Sequence, residues 1–180
     1  MTPLYPRIVG RDWRQLPELV QRCHGGLDEV RAFGRFDIRW GKNALARALA
    51  RWGGLPRAGV DLPAELTVTP DPEGETWRRR FGEDSFVTRQ WEEDGLLVER
   101  AGLFELCFRL EVAGARLIFQ QTGAGLRLGR ARIGLPFWLS PRVSARVWQE
   151  EAMRVQVEVS LPGLGTLCRY DGGLDTRTRP

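Results

Sequence analysis

A chain of 180 residues, 42% of them apolar and 28% charged, is long enough to bury one hydrophobic core without disulfide or metal staples, and too rich in apolar residues for wholesale disorder. The net charge of +4 is carried almost wholly by arginine, Lys42 being the only lysine. These arginines alternate with acids, as in Arg35-Phe36-Asp37 and Glu99-Arg100, and form no long basic block, so a nucleic-acid partner is not expected.

Near the N-terminus Trp13, Leu16, Val20 and Cys23 recur at three- and four-residue steps. With Asp12 as N-cap and Gly25 as a stop, they predict a short amphipathic helix ending at His24, a residue that commonly meets the last carbonyls of a helix. From Arg31 to Trp40 the pattern turns to alternation, with Phe36, Ile38 and Trp40 on one face and Arg35, Asp37 and Arg39 on the other, which predicts a strand. Lys42 to Trp52 returns to helical spacing through Leu45, Ala48, Leu49 and Trp52, until Gly53-Gly54 and Pro56 end it.

Beyond Asp61 the chain reads as strands separated by turn residues. The expected strands are Ala64 to Thr69, Thr76 to Phe81, Ser85 to Glu92, Gly95 to Ala101, Leu103 to Val112 and Ala115 to Thr122. More follow at Gly125 to Ile133, Ser144 to Glu150, Met153 to Leu161 and Gly165 to Tyr170, with Gly123-Ala124-Gly125 read as a turn. Phe104, Leu106, Phe108, Leu110 and Val112 alternate with charge, as do Met153, Val155, Val157 and Val159. A sheet with so many one-sided strands must hide that face. The predicted fold is therefore mainly β (α+β), an antiparallel meander curling into a barrel or half-barrel, with two short helices near its N-terminus. One domain spans residues 1–174, and Asp175 to Pro180, almost without apolar content, is expected to trail off unfolded.

Cys23, Cys107 and Cys168 are odd in number, far apart and without Cys-x-x-Cys spacing, so neither a disulfide framework nor a thiolate metal site is indicated. The N-terminus lacks a signal-peptide pattern and no apolar run approaches a membrane span, so the expectation is a cytoplasmic protein without a transmembrane segment. Common cofactor and hydrolase signatures are absent and no cofactor is expected. Cys107 has no histidine brought near it by spacing, and reads as a core thiol.

The segment Gly134-Leu-Pro-Phe-Trp-Leu-Ser-Pro141 crowds apolar residues between prolines and fits a plug, a lid over a pocket or a patch for a partner. Seven tryptophans suit a core or the walls of an apolar cavity. The candidate ligand-binding residues are Trp40, Trp77, Phe137 and Trp138, with Arg39, Arg79 and Arg109 able to meet a polar group should their side of the sheet face inward; Arg146 shares that strand placement. Acid-base chemistry would draw on Asp37, Glu75, Glu99, Glu105, Glu150 or Glu151, none distinguished by its spacing. No catalytic residue is assigned.

Leu4-Tyr5, Gly34-Arg-Phe-Asp-Ile-Arg-Trp-Gly41, Gly54-Leu-Pro56, Glu75-Thr-Trp-Arg-Arg-Arg-Phe-Gly82, Leu135-Pro-Phe-Trp-Leu-Ser-Pro141, Leu161-Pro-Gly-Leu-Gly165 and Tyr170-Asp-Gly172 together resemble the bacterial family called domain of unknown function 4166, from about Leu4 to Leu174. The resemblance implies a domain found alone or behind oxidoreductase-like dinucleotide-binding domains, and by association an accessory role in small-molecule metabolism with an oxidoreductase partner. It supplies no catalytic residues, and Gly172-Gly173-Leu174 departs from the aromatic usual before the leucine.

Three functional readings follow. The first is a binding or accessory domain holding an apolar small-molecule ligand. The second is an isomerase- or cyclase-like enzyme, which requires two or more of Asp37, Arg39, Arg79, Glu99, Glu105, Arg109 and Glu150 to converge in one pocket. The third is an oligomerising or protein-interaction module with Phe137 and Trp138 inserting into a neighbour; the sequence does not set the oligomeric state.

Overall fold

The alternating segments become the strands of a computed structural model that describes residues 2–136 and 138–176. In chain order they are β1 (Val30–Trp40), β2 (Gly59–Asp71), β3 (Gly74–Phe81), β4 (Asp84–Glu93), β5 (Leu96–Ala101), β6 (Phe104–Ala113), β7 (Arg116–Leu128), β8 (Ala131–Gly134), β9 (Arg142–Gln149), β10 (Met153–Leu161) and β11 (Gly165–Asp175). Neighbours run β6-β5-β4-β3-β2-β1-β11-β10-β9-β7, every pair antiparallel, and β7 pairs back onto β6. Ten strands thus close a barrel, with β8 an extra strand on β7. Closure leaves the barrel no open edge and puts one side chain of every two inside.

The circle turns on β7. One edge pairs with β6 from Arg116 to Leu126, while the other meets β9 only over Leu117–Gln120 and β8 over Gly125–Leu128. At the fork Gln121 replaces the missing ladder: its Nε2 donates to the Pro141 carbonyl at 2.8 Å and its Oε1 accepts from the Val143 amide at 2.6 Å. One side chain therefore satisfies backbone groups of the segment entering β9.

Helices cover both ends. α1 (Leu4–Val9), a 3-10 turn (Gly10–Gln15) and α2 (Glu18–His24) precede the first strand. They drive Tyr5, Leu16, Leu19, Val20 and Cys23 into one core with Phe119 and Met153, and the Leu19 amide is tied to Gln149 Oε1 at 3.1 Å. α3 (Ala44–Trp52) crosses from β1 to β2 at the opposite end, started by Asn43, whose Oδ1 accepts from the Leu45 amide. Ala46 and Ala50, one helical turn apart, are small enough to let α3 lie against Leu167 of β11.

Several expectations are corrected. The single helix through Trp13 and Cys23 is broken, because Pro17 excludes the helical region for the preceding residue and Leu16 is extended at φ −75°, ψ 145°. α1 was not anticipated, its short Leu4–Val9 span showing no full period. Gly123-Ala124-Gly125 is no turn: β7 runs through it in register with β6 just after a bulge at Thr122, and the turn falls at Gly129, which has φ 61°. β11 continues past Tyr170, so Asp175, expected to trail off, pairs with Phe33; residues 177–180 lie outside the described residues.

The reach of β11 depends on glycine. β1 and β11 approach so closely that a Cβ on Gly34 would lie 1.8 Å from the Gly173 carbonyl oxygen, and one on Gly172 would meet the Arg35 carbonyl and the Phe36 ring. Gly34→Ala forces this seam apart, and unfolding in urea should show a loss of more than about 2 kcal/mol; a change within about 0.5 kcal/mol would mean the strands have room there.

Candidate functional site: the barrel cavity

Ten strands enclose more space than their inward side chains fill. The interior keeps a cavity of about 330 Å³, roughly eleven waters' share of liquid volume and at the small end of ligand sites. Its walls are mainly apolar, with Phe36, Leu66, Phe81, Leu106 and Phe108 facing Ala145, Met153, Val155 and Val157. Tyr5 and His24 line the end held by the N-terminal helices; Leu49, Trp52, Phe104, Leu139 and Pro141 line the other, where the cavity opens.

One side of the wall is polar because β3, β4 and β5 turn polar residues inward. Arg79 of β3 donates from Nη1 to Thr88 Oγ1 at 2.8 Å and from Nη2 to Glu99 Oε1 at 3.2 Å, the two ionic side chains being largely buried. Its guanidinium also stacks 4.9 Å from the Trp77 ring centroid and 5.9 Å from that of Phe86. A cation so held is paired, hydrogen-bonded and laid on aromatic faces, the conditions under which a buried charge is tolerated. Because Glu99 matches its charge, the patch is polar and neutral overall.

Around it stand groups with shifted protonation. The Tyr5 hydroxyl donates to Gln90 Oε1 at 2.7 Å, and burial holds its ionisation well above the usual tyrosine value. Tyr170, packed on Phe36 and Phe81, lines the cavity without a hydrogen bond to any described residue; burial raises it to about 12. His24 lies 3.0 Å through Nδ1 from the Val20 carbonyl, which can only accept, so Nδ1 carries the proton and Nε2 remains an acceptor. Burial lowers its pKa to about 4, which keeps the ring neutral. Glu75, 2% exposed, accepts from Trp77 Nε1 at 2.9 Å and is raised by burial to about 7.

The candidate residues divide accordingly. Trp77 and Arg79 are on the cavity wall. Trp40 is half-buried beneath the α3 end, its Nε1 donating to the Pro56 carbonyl at 2.8 Å. Arg39, Arg109 and Arg146 are exposed on the outer face, and Trp138 is 66% exposed. Phe137 lies outside the described residues. Of the acids considered for chemistry, Glu99 faces the cavity and Glu75 is buried beside Trp77, whereas Asp37, Glu150 and Glu151 are not among the lining residues.

Two outward residues of β6 behave unexpectedly. Glu105 points away from the cavity yet is fully buried, because Arg127 of β7 and Arg132 of β8 reach it at 3.4 and 3.1 Å. Arg132 is near its Oε2 without hydrogen-bond geometry. Cys107, expected in the core, sits on this outer face instead, taking a contact from Arg132 at 3.1 Å. These ionic contacts fold the β7–β8 hairpin back on the barrel wall.

The family model described as Domain of unknown function (DUF4166) matches residues 16–174, nearly the whole chain. The chain belongs to the DUF4166 family. No curated protein and no solved structure matched it. The DUF4166 match takes in most of the cavity wall, while Tyr5 precedes it.

Tyr5, Thr88, Gln90, His24 and Tyr170 were not identified as cavity residues from sequence. A signal existed in β4, where Phe86, Thr88 and Gln90 share one face against Val87, Arg89 and Trp91. Neither face is plainly apolar, so the inner one is set by the partners across the barrel.

Glu75 and His24 make opposite contributions to stability. Folded Glu75 retains its proton up to about pH 7 against 4.5 for an ordinary glutamate, so its contribution is present at low pH and fades as pH rises through that window. Folded His24 refuses a proton until about pH 4 against 6.5, so its contribution is present at high pH and fades on acidification. Between pH 4.5 and 6.5 the two largely cancel. Glu75→Gln removes one side, and denaturation midpoints should show it losing about 2 kcal/mol more than the parent between pH 6.5 and 4.5; parallel profiles would mean Glu75 titrates normally.

Proposed function

We propose that this DUF4166 protein binds a small, predominantly apolar and uncharged molecule inside the barrel. The observation that carries the reading is an apolar cavity of about 330 Å³ whose only strongly polar wall is internally neutral. An anionic ligand would have to displace Glu99 from Arg79, and a cationic one would face the guanidinium, so charge is disfavoured in either sign. A hydroxyl or carbonyl suits the site, with the Tyr170 hydroxyl as donor and His24 Nε2 as acceptor. Such a ligand gains affinity from burial and orientation from these groups. This reading does not depend on an oxidoreductase partner, for which no named relative speaks.

A second reading, chemistry on the bound molecule, is favoured by one observation. Of the residues whose convergence it required, Arg79 and Glu99 meet in the cavity, beside Tyr170 and a neutral histidine. Tyr170 would then act as a proton donor, with Arg79 stabilising developing negative charge. If so, Tyr170→Phe protein should retain an isomer of the compound recovered with the parent chain, equal in mass and different in chromatographic retention.

The binding reading is tested by extracting natively purified protein with organic solvent, analysing the extract by mass spectrometry, and titrating stripped protein with N-phenyl-1-naphthylamine. A stoichiometric apolar compound and probe fluorescence are expected. Ala145→Phe, which puts a ring into the cavity, should remove both while leaving the thermal midpoint unchanged or raised, since it fills a void. A clean extract together with a dark probe in well-folded parent protein refutes it.

A further inference from the structure

The exposed apolar side chains are not scattered. Of the ten large ones that are exposed among the described residues, all but Leu27 and Val87 sit at the open end of the barrel or on the hairpin projecting beside it. Trp52 is 79% exposed at the end of α3, and Trp138 and Leu139 stand in the segment leading to β9. Both segments leave the same end: α3 follows the last residue of β1, while β9 begins opposite the end of β10, Arg142 pairing with Ser160. Trp52 and Leu139 both line the cavity at this end.

The charge around this patch is predominantly positive. α3 contains no acid, and Lys42, Arg47, Arg51 and, on the β7–β8 turn, Arg130 have no acidic partner among the described residues. Of the nearby acids Asp84 and Asp61 are engaged by Arg57 and Arg35, which leaves exposed Glu83 of the β3–β4 turn against the four cations.

From this juxtaposition we infer that the open end of the barrel docks on an anionic lipid surface. Trp52, Trp138 and Leu139 enter the interface, and Lys42, Arg47 and Arg51 lie at phosphate level. Tryptophan favours that depth because its ring is apolar and its indole N–H is polar, and arginine can extend its charge outward over an apolar stem. A second copy of the chain suits the face less well, since a two-fold contact through α3 would set Arg47 and Arg51 of each copy against like charge. Docking would place the cavity mouth against hydrocarbon, but the inference does not require a ligand.

The test is co-sedimentation of the full chain with phosphatidylcholine vesicles, with and without phosphatidylglycerol, alongside tryptophan emission. Binding to the anionic vesicles with a blue shift is expected. Arg47→Gln/Arg51→Gln should weaken partitioning roughly thirty-fold, and Trp52→Ala/Trp138→Ala should remove the shift. Arg11→Gln/Arg14→Gln, in the 3-10 turn at the opposite end, should change nothing. The four arginines are exposed, as are both tryptophans, and circular dichroism verifies each fold. Absence of anionic-vesicle binding by folded parent protein overturns the inference, as does binding that survives both variant pairs. A folded parent that ignores vesicles but becomes smaller on size exclusion after the tryptophan changes would make the face a protein contact, which also overturns it.

Discussion

Closure of the sheet through the β6–β7 pairing governs the rest of the structure. Once β7 returns to β6, every strand is paired and alternate side chains must share one interior. At ten strands that interior is too wide for its own side chains to fill, and a ring of strands leaves two ends to be covered. One end receives the N-terminal helices, which bring Tyr5 and His24 inward. The other receives α3 and the segment before β9, and stays partly open.

The cavity's character follows from how charge is accommodated within it. Arg79 would be prohibitively costly alone in an apolar interior. Glu99, Thr88 and two aromatic faces hold it, and Gln90, Tyr5 and His24 extend a polar wall from it toward the helical plug. The neutral sum of this wall separates the site from an anion trap. It also leaves Tyr170 as an uncommitted hydroxyl beside a charged pair, a suitable group for orienting a neutral ligand and the reason chemistry stands as the second reading.

The outer face shows the same physics with opposite geometry. Glu105 is on the side of β6 where solvent is expected, but two arginines of the β7–β8 hairpin cover it. Burying a carboxylate fixes the hairpin's position, because leaving Glu105 without its arginines would strand a buried charge at a cost of several kcal/mol, about 3 to 5 in comparable cases. The hairpin thereby projects beside the open end, where its exposed Leu128 and Ile133 continue the apolar rim begun by α3.

Strand period, turn residues and one-sided alternation were enough to specify a mainly antiparallel β chain that had to curl, because period two is a local property. The same local information placed α3 and marked Arg79 and Trp77 as possible wall residues. It failed at Leu16-Pro17, where proline interrupts an apparently continuous helical stripe, and at Gly123 to Gly125, where glycines lie paired inside a strand just past a bulge. Full closure, the inward direction of Arg79 against the outward direction of Arg39 and Arg109, and the meeting of Tyr5 with Gln90 were decided only in three dimensions. Each depends on partners tens of residues away, and a strand with polar groups on both faces, such as β4, has no inside until those partners define one.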